Sequence, residues 1–323
     1  MGRNYAAIVG QGRSGSNWLL NLFDLSPDTF CRDEPDLLKG SPFRQLRRDQ
    51  FVRHDQQSLL EEGWDDAVRF TVARMGAHDN PIIAPKAYMY EVSRRLGVYR
   101  AVRGYRWRRL WAWFVPSFRD VEWVPPSYLV NARRFERSTA VLKFVSPPGW
   151  AAFVLARRPE VPVFHVVRHP GGFLNSWATR FLATRVESEV RDANLTRLHV
   201  IAGLDDAWRR RFGAIDGMSA HEAELWYWSY VNEEISRAGD ASERFTRVVF
   251  EDLVRDSAGT MQRLYDRLGV PFHDSVRRAV AASSDESPSI SAKWRDRLTA
   301  EHQRLVERVL DESPLRSCWE DTP

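Results

Sequence analysis

A glycine-rich segment near the amino terminus has the residue types of an anion-binding loop. An apolar run at 5–9 leads into the segment GQGRSGSN at 10–17, and an apolar stretch with helical spacing follows and ends at 25. A strand that turns through glycines into a helix directs several backbone N–H groups, and the positive end of the helix dipole, at one point. The segment therefore predicts a site for phosphate or sulfate, although an ordinary strand-to-helix turn is the alternative.

The same segment differs from the loop of a nucleoside triphosphatase, which has the pattern Gly-x4-Gly-Lys-Ser/Thr. Gly10 and Gly15 have the matching spacing, but Ser16 stands in place of the lysine and Asn17 in place of the magnesium-binding hydroxyl. The sequence thus predicts an anion cradle without the groups that handle a metal-bound triphosphate. A nucleotide kinase on a related fold remains the second enzyme hypothesis.

A second candidate site lies in the segment VFHVVRHPGGFLNS at 163–176. An apolar strand ends at Arg168, a Pro-Gly-Gly turn follows, and Ser176 falls early in the next helix. Ligands of parallel sheets bind beyond the carboxyl ends of the strands, so we expect Arg168 and the 10–17 loop at one edge. The alternative is an arginine that caps a strand and a serine that caps a helix.

Strand and helix signals alternate along the chain, which predicts an α/β fold with a central parallel sheet flanked by helices. Strands are predicted at 5–9, 29–31, 81–84, 141–145, 161–167 and 247–250, and helices at 18–25, 64–75, 151–157, 173–184, 221–238, 257–268 and 295–310. Residues 280–292 are serine-rich and predict a loop. We interpret 1–323 as a single domain with an Arg/Trp-rich, mainly helical insertion at about 40–135 that covers one edge of the sheet.

Composition narrows the class of protein. The chain has 323 residues, of which 43% are hydrophobic, and only two cysteines. No run approaches the about 20 apolar residues of a membrane-spanning helix, and we expect neither a transmembrane segment nor a signal peptide. The expected location is cytoplasmic. A net charge of +4 argues against a general nucleic-acid partner.

Arginine dominates the basic residues, because only four of the 47 are lysines. The planar fork of arginine binds phosphate and sulfate well. A cluster of arginine and tryptophan at 94–113 has three interpretations: a lid over an acidic glycan acceptor, a peripheral membrane contact for a lipid-linked acceptor, or a helix with a solvated basic face.

Together, the GRSGSNW segment at 12–18 and the Arg168-x7-Ser176 pair resemble the two signatures of sulfotransferases that use 3′-phosphoadenosine 5′-phosphosulfate (PAPS). Arg13, with Glu34-Pro35, is most similar to the carbohydrate-type branch, which has Golgi and bacterial members. Residues 141–143 and 250–253 also resemble the family, as does the helix that ends near 269. The resemblance covers 5–35, 140–180 and 221–310.

The resemblance implies a P-loop-like sulfotransferase fold and transfer of a sulfuryl group from PAPS to a hydroxyl of a carbohydrate or glycolipid, leaving adenosine 3′,5′-bisphosphate (3′,5′-ADP). No metal is implied, and a small-molecule acceptor or a non-catalytic anion- or glycan-binding role remains open. The loop would hold the 5′-phosphosulfate, Arg168 and Ser176 the 3′-phosphate, and Trp18 either stacks on adenine or packs in the core. The implied donor-binding residues are Gly12, Arg13, Ser14, Gly15, Ser16, Asn17, Trp18, Arg168 and Ser176.

Two residues are implied to be catalytic. A sugar hydroxyl needs a base to remove its proton, and the resemblance assigns this role to Glu34. Arg13 would stabilise charge on the bridging oxygen and the transferring group. The alternatives are that Glu34 only pairs with a nearby arginine, or that another residue is the base: Asp33, His54, His78 or His169. Lys143 is interpreted as a strand-end charge or an acceptor-side residue, and Lys293 as a residue near the 3′-phosphate.

Overall fold

Five short parallel strands form one sheet in the order β2–β3–β1–β4–β5. They are β1 (Tyr5–Val9), β2 (Thr29–Asp33), β3 (Thr139–Lys143), β4 (Val163–Val167) and β5 (Phe245–Val249). β1 lies in the middle, where Ala7 is in register with Leu142 of β3 and Val163 of β4. Near-continuous apolar strands such as β4 are typical of a parallel sheet that helices cover on both faces.

The computed structural model describes residues 4–37, 40–52, 58–73, 86–91, 131–284 and 293–320. The predicted strand at 81–84 and the Arg/Trp cluster at 94–113 lie outside these residues, as do His54 and His78. The extent of the predicted insertion and the single-domain organisation therefore remain predictions.

The helices pack on both faces of the sheet. In chain order they are α1 (Ser16–Asp24), α2 (Ser58–Val72), α3 (Ala132–Arg137), α4 (Pro148–Arg157), α5 (Pro170–Phe181), α6 (Glu187–Leu204), α7 (Asp206–Phe212), α8 (Ala220–Gly239), α9 (Phe250–Arg255), α10 (Ser257–Leu268), α11 (Asp274–Ser284), α12 (Trp294–Arg297) and α13 (Ala300–Asp311). Successive strand residues point to opposite faces. Ala6 and Ile8 thus pack with α1, α10 and α11, whereas Ala7 and Val9 pack with α4, α5 and α8.

This architecture confirms the predicted fold class, with some changes at element boundaries. The predicted strand 247–250 is shifted, because Phe250 already begins α9. The predicted helix 295–310 is two helices, since the Thr299 hydroxyl accepts a hydrogen bond from the His302 N–H and begins α13 there. The predicted loop at 280–292 begins inside α11. Five helices of the described residues have no counterpart among the predicted helices: α3, α6, α7, α9 and α11.

Described parts of the Arg/Trp-rich segment 40–135 pack on the main core. A 3₁₀ segment at Pro42–Asp49 places Phe43 against Trp64 of α2, with ring centroids 5.1 Å apart. Phe43 also lies 5.1 Å from Phe144, which directly follows β3, and 5.6 Å from Trp150 of α4. Aromatic pairs at such distances contribute about 0.5–1.5 kcal/mol beyond their burial. Several tryptophans of this chain are therefore core residues.

A buried histidine lies in the middle of the sheet. His165 of β4 is fully buried, and its Nε2 lies 3.0 Å from Oδ1 of Asn232 on α8. Burial lowers the pKa of His165 from 6.5 to about 3, so the folded protein holds this side chain neutral.

This histidine predicts a loss of stability in mild acid. Between pH 7 and pH 5 the unfolded chain gains a proton at His165 and the folded chain does not, which favours unfolding. From the pKa values of 6.5 and about 3, this residue should account for about 2 kcal/mol of the loss. Urea unfolding at both pH values should show that His165→Gln loses about 2 kcal/mol less than the wild type. An equal loss in both proteins would contradict the prediction.

Candidate active site

The loop between β1 and α1 needs glycine at both ends. Gly10 has φ 155°, and a Cβ there would lie 2.4 Å from the carbonyl oxygen of Val166 in β4. Gly15 has φ 93°, and a Cβ there would lie 2.2 Å from the Phe250 ring. Side chains at these positions would collide with the sheet or with α9. The loop is therefore held close to the sheet at its start and to Phe250 at its end, with Arg13 exposed between them.

Arg13 joins the two predicted signatures. Its Nε donates a hydrogen bond to the Ser176 Oγ of α5 over 3.2 Å. Its backbone carbonyl accepts a hydrogen bond from Nη1 of Arg168 over 3.3 Å. Arg13 also has φ 72°, a conformation that costs energy in a residue with a side chain and is concentrated at functional sites. The loop, Arg168 and Ser176 thus form one site, as the sequence predicts.

Arg168 extends from the end of β4 and is 7% exposed. Its guanidinium lies 4.4 Å above the Phe250 ring, and Glu251 provides a nearby negative charge. Burial lowers the pKa of Arg168, and Glu251 opposes that shift. Its buried Nε has no hydrogen-bond partner among the described residues. Buried donors are nearly always satisfied in native proteins, so this nitrogen is a candidate to bind a ligand.

Lys143 organises the other side of the site. This residue ends β3, and its side chain is 1% exposed. The ammonium group lies 2.9 Å from Oε1 of Glu34 and 2.5 Å from Oδ1 of Asp33, and it donates to Oδ1 of Asn17. Glu34 is therefore paired with Lys143 rather than with an arginine, the alternative that the sequence left open. Its backbone φ of 40° is again unusual for a residue with a side chain.

These elements surround one cleft of about 780 Å³. It opens at the carboxyl ends of the strands, where parallel sheets bind their ligands. Glu34 lines the cleft and Asp33 does not. Trp18 lines the cleft and also packs edge-on against Phe250, with ring centroids 5.9 Å apart. Its position is therefore compatible with both interpretations, contact with adenine and packing against the protein. The predicted residues that line the cleft are Gly12, Arg13, Gly15, Ser16, Asn17, Trp18, Glu34, Arg168 and Ser176.

Ser14 is the one predicted site residue that does not line the cleft. Its side chain is fully buried, and its N–H donates to the carbonyl oxygen of Gln11 over 3.3 Å. That bond closes the turn of the loop. Ser14 is thus placed to shape the loop from within.

A match to a family model establishes the family of the chain. The model described as the sulfotransferase family matches residues 6–274. The chain belongs to the sulfotransferase family. This match does not specify a branch of the family or an acceptor.

Solved sulfotransferases align with this member over nearly its whole length at low identity. The sulfotransferase domain from the Synechococcus PCC 7002 olefin synthase is 17% identical, with 95% of this chain and 94% of that chain covered and a TM-score of 0.42. Sulfotransferase STF9 from Mycobacterium avium is 15% identical, with coverages of 97% and 77% and a TM-score of 0.41. Mouse sulfotransferase SULT7A1 complexed with PAP is 9% identical, with coverages of 99% and 86% and a TM-score of 0.37. No curated protein matched the chain.

The cleft of this sulfotransferase also contains residues that the sequence analysis did not select. Lys143 was assigned only a general role, and its position at a strand end next to the Asp33-Glu34 pair was the available signal. Further examples are Gln11, Ser146, Phe250, Arg197 of α6 and Glu224 of α8. Arg197 and Glu224 lie on helices far from the loop in sequence. No pattern of residues in the sequence indicated that these helices pack against it.

His169 is not placed as a catalytic base. It is not among the residues that line the cleft. Its Nδ1 accepts the Gly171 N–H, and its ring stacks on Trp294 with centroids 4.8 Å apart. Burial lowers its pKa to about 4. His169 thus links β4 to the C-terminal segment, and Lys293, beside Trp294, is not among the residues that line the cleft.

The described residues offer neither a metal site nor a membrane-spanning helix. They contain no group of three or more His, Cys, Asp or Glu side chains arranged to hold a metal ion. Among their helices, none combines the length and the apolar character needed to cross a membrane.

The loop geometry predicts a strong effect of a single methyl group. Gly15→Ala should destabilise the protein by about 1–3 kcal/mol, because its Cβ meets the Phe250 ring and its φ is positive. The matched control is Gly203→Ala in α6, where a Cβ meets nothing within 4 Å. That change should be neutral or stabilise by up to about 1 kcal/mol. Urea unfolding of both variants tests this, and equal effects would refute it.

Proposed function

We propose that this sulfotransferase transfers a sulfuryl group from PAPS to a hydroxyl of a carbohydrate or glycolipid acceptor, releasing 3′,5′-ADP. The observation that carries the proposal is the pair of contacts from Arg13 to Ser176 and Arg168, which brings both predicted nucleotide-binding signatures into one cleft. The family match supports sulfuryl transfer.

Groups for each part of the donor are present among the described residues. The glycine loop and the N-terminal turn of α1 offer backbone N–H groups to the 5′-phosphosulfate. Arg168, with its unpartnered Nε, and Ser176 would bind the 3′-phosphate that distinguishes this donor from ATP. Trp18 and Phe250, which both line the cleft, would contact the adenine.

The catalytic step then requires a base and a group that stabilises charge. Glu34 would take the proton of the acceptor hydroxyl as its oxygen forms a bond to sulfur and the bond from sulfur to the donor phosphate oxygen breaks. Arg13 would stabilise the negative charge that accumulates on that phosphate oxygen. Lys143 holds the Glu34 carboxylate at the cleft and ties it to Asn17 of α1.

Two alternatives are less well supported. A nucleotide kinase would need a lysine and a hydroxyl at positions 16 and 17, whereas the oxygen of Asn17 is engaged by Lys143. Magnesium-dependent turnover of ATP would revive that hypothesis. A non-catalytic anion- or glycan-binding protein would bind the nucleotide without transferring sulfate to any acceptor.

Nucleotide selectivity tests the 3′-phosphate assignment. The wild type should bind 3′,5′-ADP more tightly than 5′-AMP, which lacks that phosphate. Arg168→Ala should weaken the affinity for 3′,5′-ADP by about 10- to 100-fold, because a charge-assisted hydrogen bond is lost, and should weaken the affinity for 5′-AMP much less. Titration calorimetry measures both affinities.

The control for this experiment is Arg185→Ala, which removes another cleft-lining arginine that the proposal does not assign to the nucleotide. Its preference for 3′,5′-ADP should persist. An Arg168→Ala variant that still discriminates fully would show that the 3′-phosphate binds elsewhere.

The identity of the base can be tested with two neighbouring carboxylates. Glu34→Gln should lower kcat by about 100- to 10,000-fold while 3′,5′-ADP still binds. Asp33→Asn, which removes the other carboxylate partner of Lys143, should cost much less because Asp33 does not line the cleft. Transfer of radiolabelled sulfate from PAPS to glycans, glycolipids, phenols and tyrosine peptides identifies the acceptor and then gives the rates. The reverse order of effects would make Asp33 the base.

A further inference from the structure

A polar network on the wall of the cleft contacts the donor loop (residues 10–15) and is not used by the proposed chemistry. Its centre is the carboxylate of Glu224 on α8, which is 2% exposed. Oε1 of Glu224 accepts a hydrogen bond from Nε2 of Gln11 over 3.0 Å. Oε2 accepts one from Nη2 of Arg197 over 2.6 Å. Both carboxylate oxygens therefore accept hydrogen bonds, one from the loop and one from α6.

Arg197 is itself held from several directions. Its guanidinium lies 4.1 Å above the Tyr227 ring and donates to Oδ1 of Asn194. Asn194 in turn donates through Nδ2 to the carbonyl oxygen of Ala220 over 3.1 Å. These contacts join α6 to α8 and leave the Glu224 carboxylate little freedom to move.

The loop side of the network is equally constrained. Gln11 is 3% exposed, and its Oε1 accepts a hydrogen bond from the hydroxyl of Ser146, just beyond β3. The Ser146 N–H donates to the carbonyl oxygen of Gly10 over 2.8 Å. Both ends of the Gln11 amide are thus satisfied, and the start of the donor loop is tied to the segment that follows β3. Ser146 has φ 55°, so this segment holds an unfavourable conformation to make the contact.

The Arg197–Glu224 ion pair buries its carboxylate, while the Arg197 side chain is 33% exposed. Burying that carboxylate costs hydration, so the pair is weak evidence for a contribution to stability. These contacts have a more specific effect, because they form a chain from Arg197 on α6 through Glu224 on α8 to Gln11 in the loop. Without Glu224, the side-chain amide of Gln11 would lose its partner on α8, and the loop would lose its anchor on that side.

We propose that Glu224, oriented by Arg197, is a positioning residue that fixes the donor loop through Gln11. This inference rests on the proposed function, because it takes the 10–15 loop as the binding site of the 5′-phosphosulfate. In this role Glu224 holds the loop through Gln11, and Arg197 holds Glu224.

The first test removes the link from the loop. Gln11→Leu keeps the approximate size of the side chain but loses both hydrogen bonds, and it leaves Oε1 of Glu224 without its donor. The dissociation constant of 3′,5′-ADP, measured by titration calorimetry, should rise about tenfold, which corresponds to about 1.4 kcal/mol.

The matched control is Asn232→Leu on α8, the helix that carries Glu224. Asn232 is fully buried and also makes two hydrogen bonds, one with Nε2 of His165 over 3.0 Å and one to the carbonyl oxygen of Trp228 over 2.8 Å. Neither bond leads to the donor loop. This variant should lower the melting temperature and leave the affinity for 3′,5′-ADP unchanged, which separates positioning from general destabilisation.

A rescue variant tests the contact itself. Gln11→Glu alone places a second carboxylate against Glu224 and should weaken 3′,5′-ADP more than Gln11→Leu does. The double variant Gln11→Glu/Glu224→Gln again pairs one amide with one carboxylate, and it should recover most of the affinity lost by Gln11→Glu. Because the double variant keeps the net charge of the wild type, it also remains informative if Gln11→Leu fails to fold.

The outcomes are distinguishable. A wild type that binds 3′,5′-ADP, with an unchanged affinity in Gln11→Leu or no recovery in the double variant, overturns this inference and leaves the proposed function standing. A wild type that does not bind 3′,5′-ADP overturns both. Equal losses of affinity in Gln11→Leu and Asn232→Leu would show that the network only stabilises the fold and does not position the loop.

Discussion

The ammonium group of Lys143 imposes the strongest single constraint on the cleft. An unpaired charge at this depth would cost several kcal/mol, so the residues around it must supply negative and polar partners. The partners come from β2, through Asp33 and Glu34, and from α1, through Asn17. The candidate base and Asn17, at the start of α1, are therefore held against the same cation. The rest of the cleft is arranged on either side of this cluster.

Backbone geometry marks the same region. Apart from glycine, the described residues with positive φ are Arg13, Glu34 and Ser146, and each follows a different strand of the sheet. The strands are β1, β2 and β3, which are neighbours. Such conformations cost about 1–3 kcal/mol each and persist where surrounding contacts impose them. Here those contacts are the Ser176 hydroxyl for Arg13, Lys143 for Glu34 and Gln11 for Ser146.

Much of this arrangement could be predicted from local sequence. Short apolar strands, glycine at tight turns and polar residues at strand ends are local signals, and they located the sheet, the donor loop, Arg168 and Ser176. The partners of Glu34 and Gln11 depend on how distant elements pack. The sequence could not show that Lys143 faces Glu34, or that Arg197 and Glu224 meet on the wall of the cleft beside the loop. Helix α6 was missed because polar residues such as Asn194 and Arg197 interrupt its apolar face, which weakens the helical pattern.

The contacts of Arg13 have a consequence for the thermodynamics of nucleotide binding. Its side chain reaches Ser176 and its carbonyl oxygen reaches Arg168, so groups that the proposed function assigns to opposite ends of one adenosine contact each other directly. A site preorganised in this way loses little conformational entropy when it is filled. Under the proposed function, more of the binding energy of the nucleotide would then remain to order an acceptor beside it.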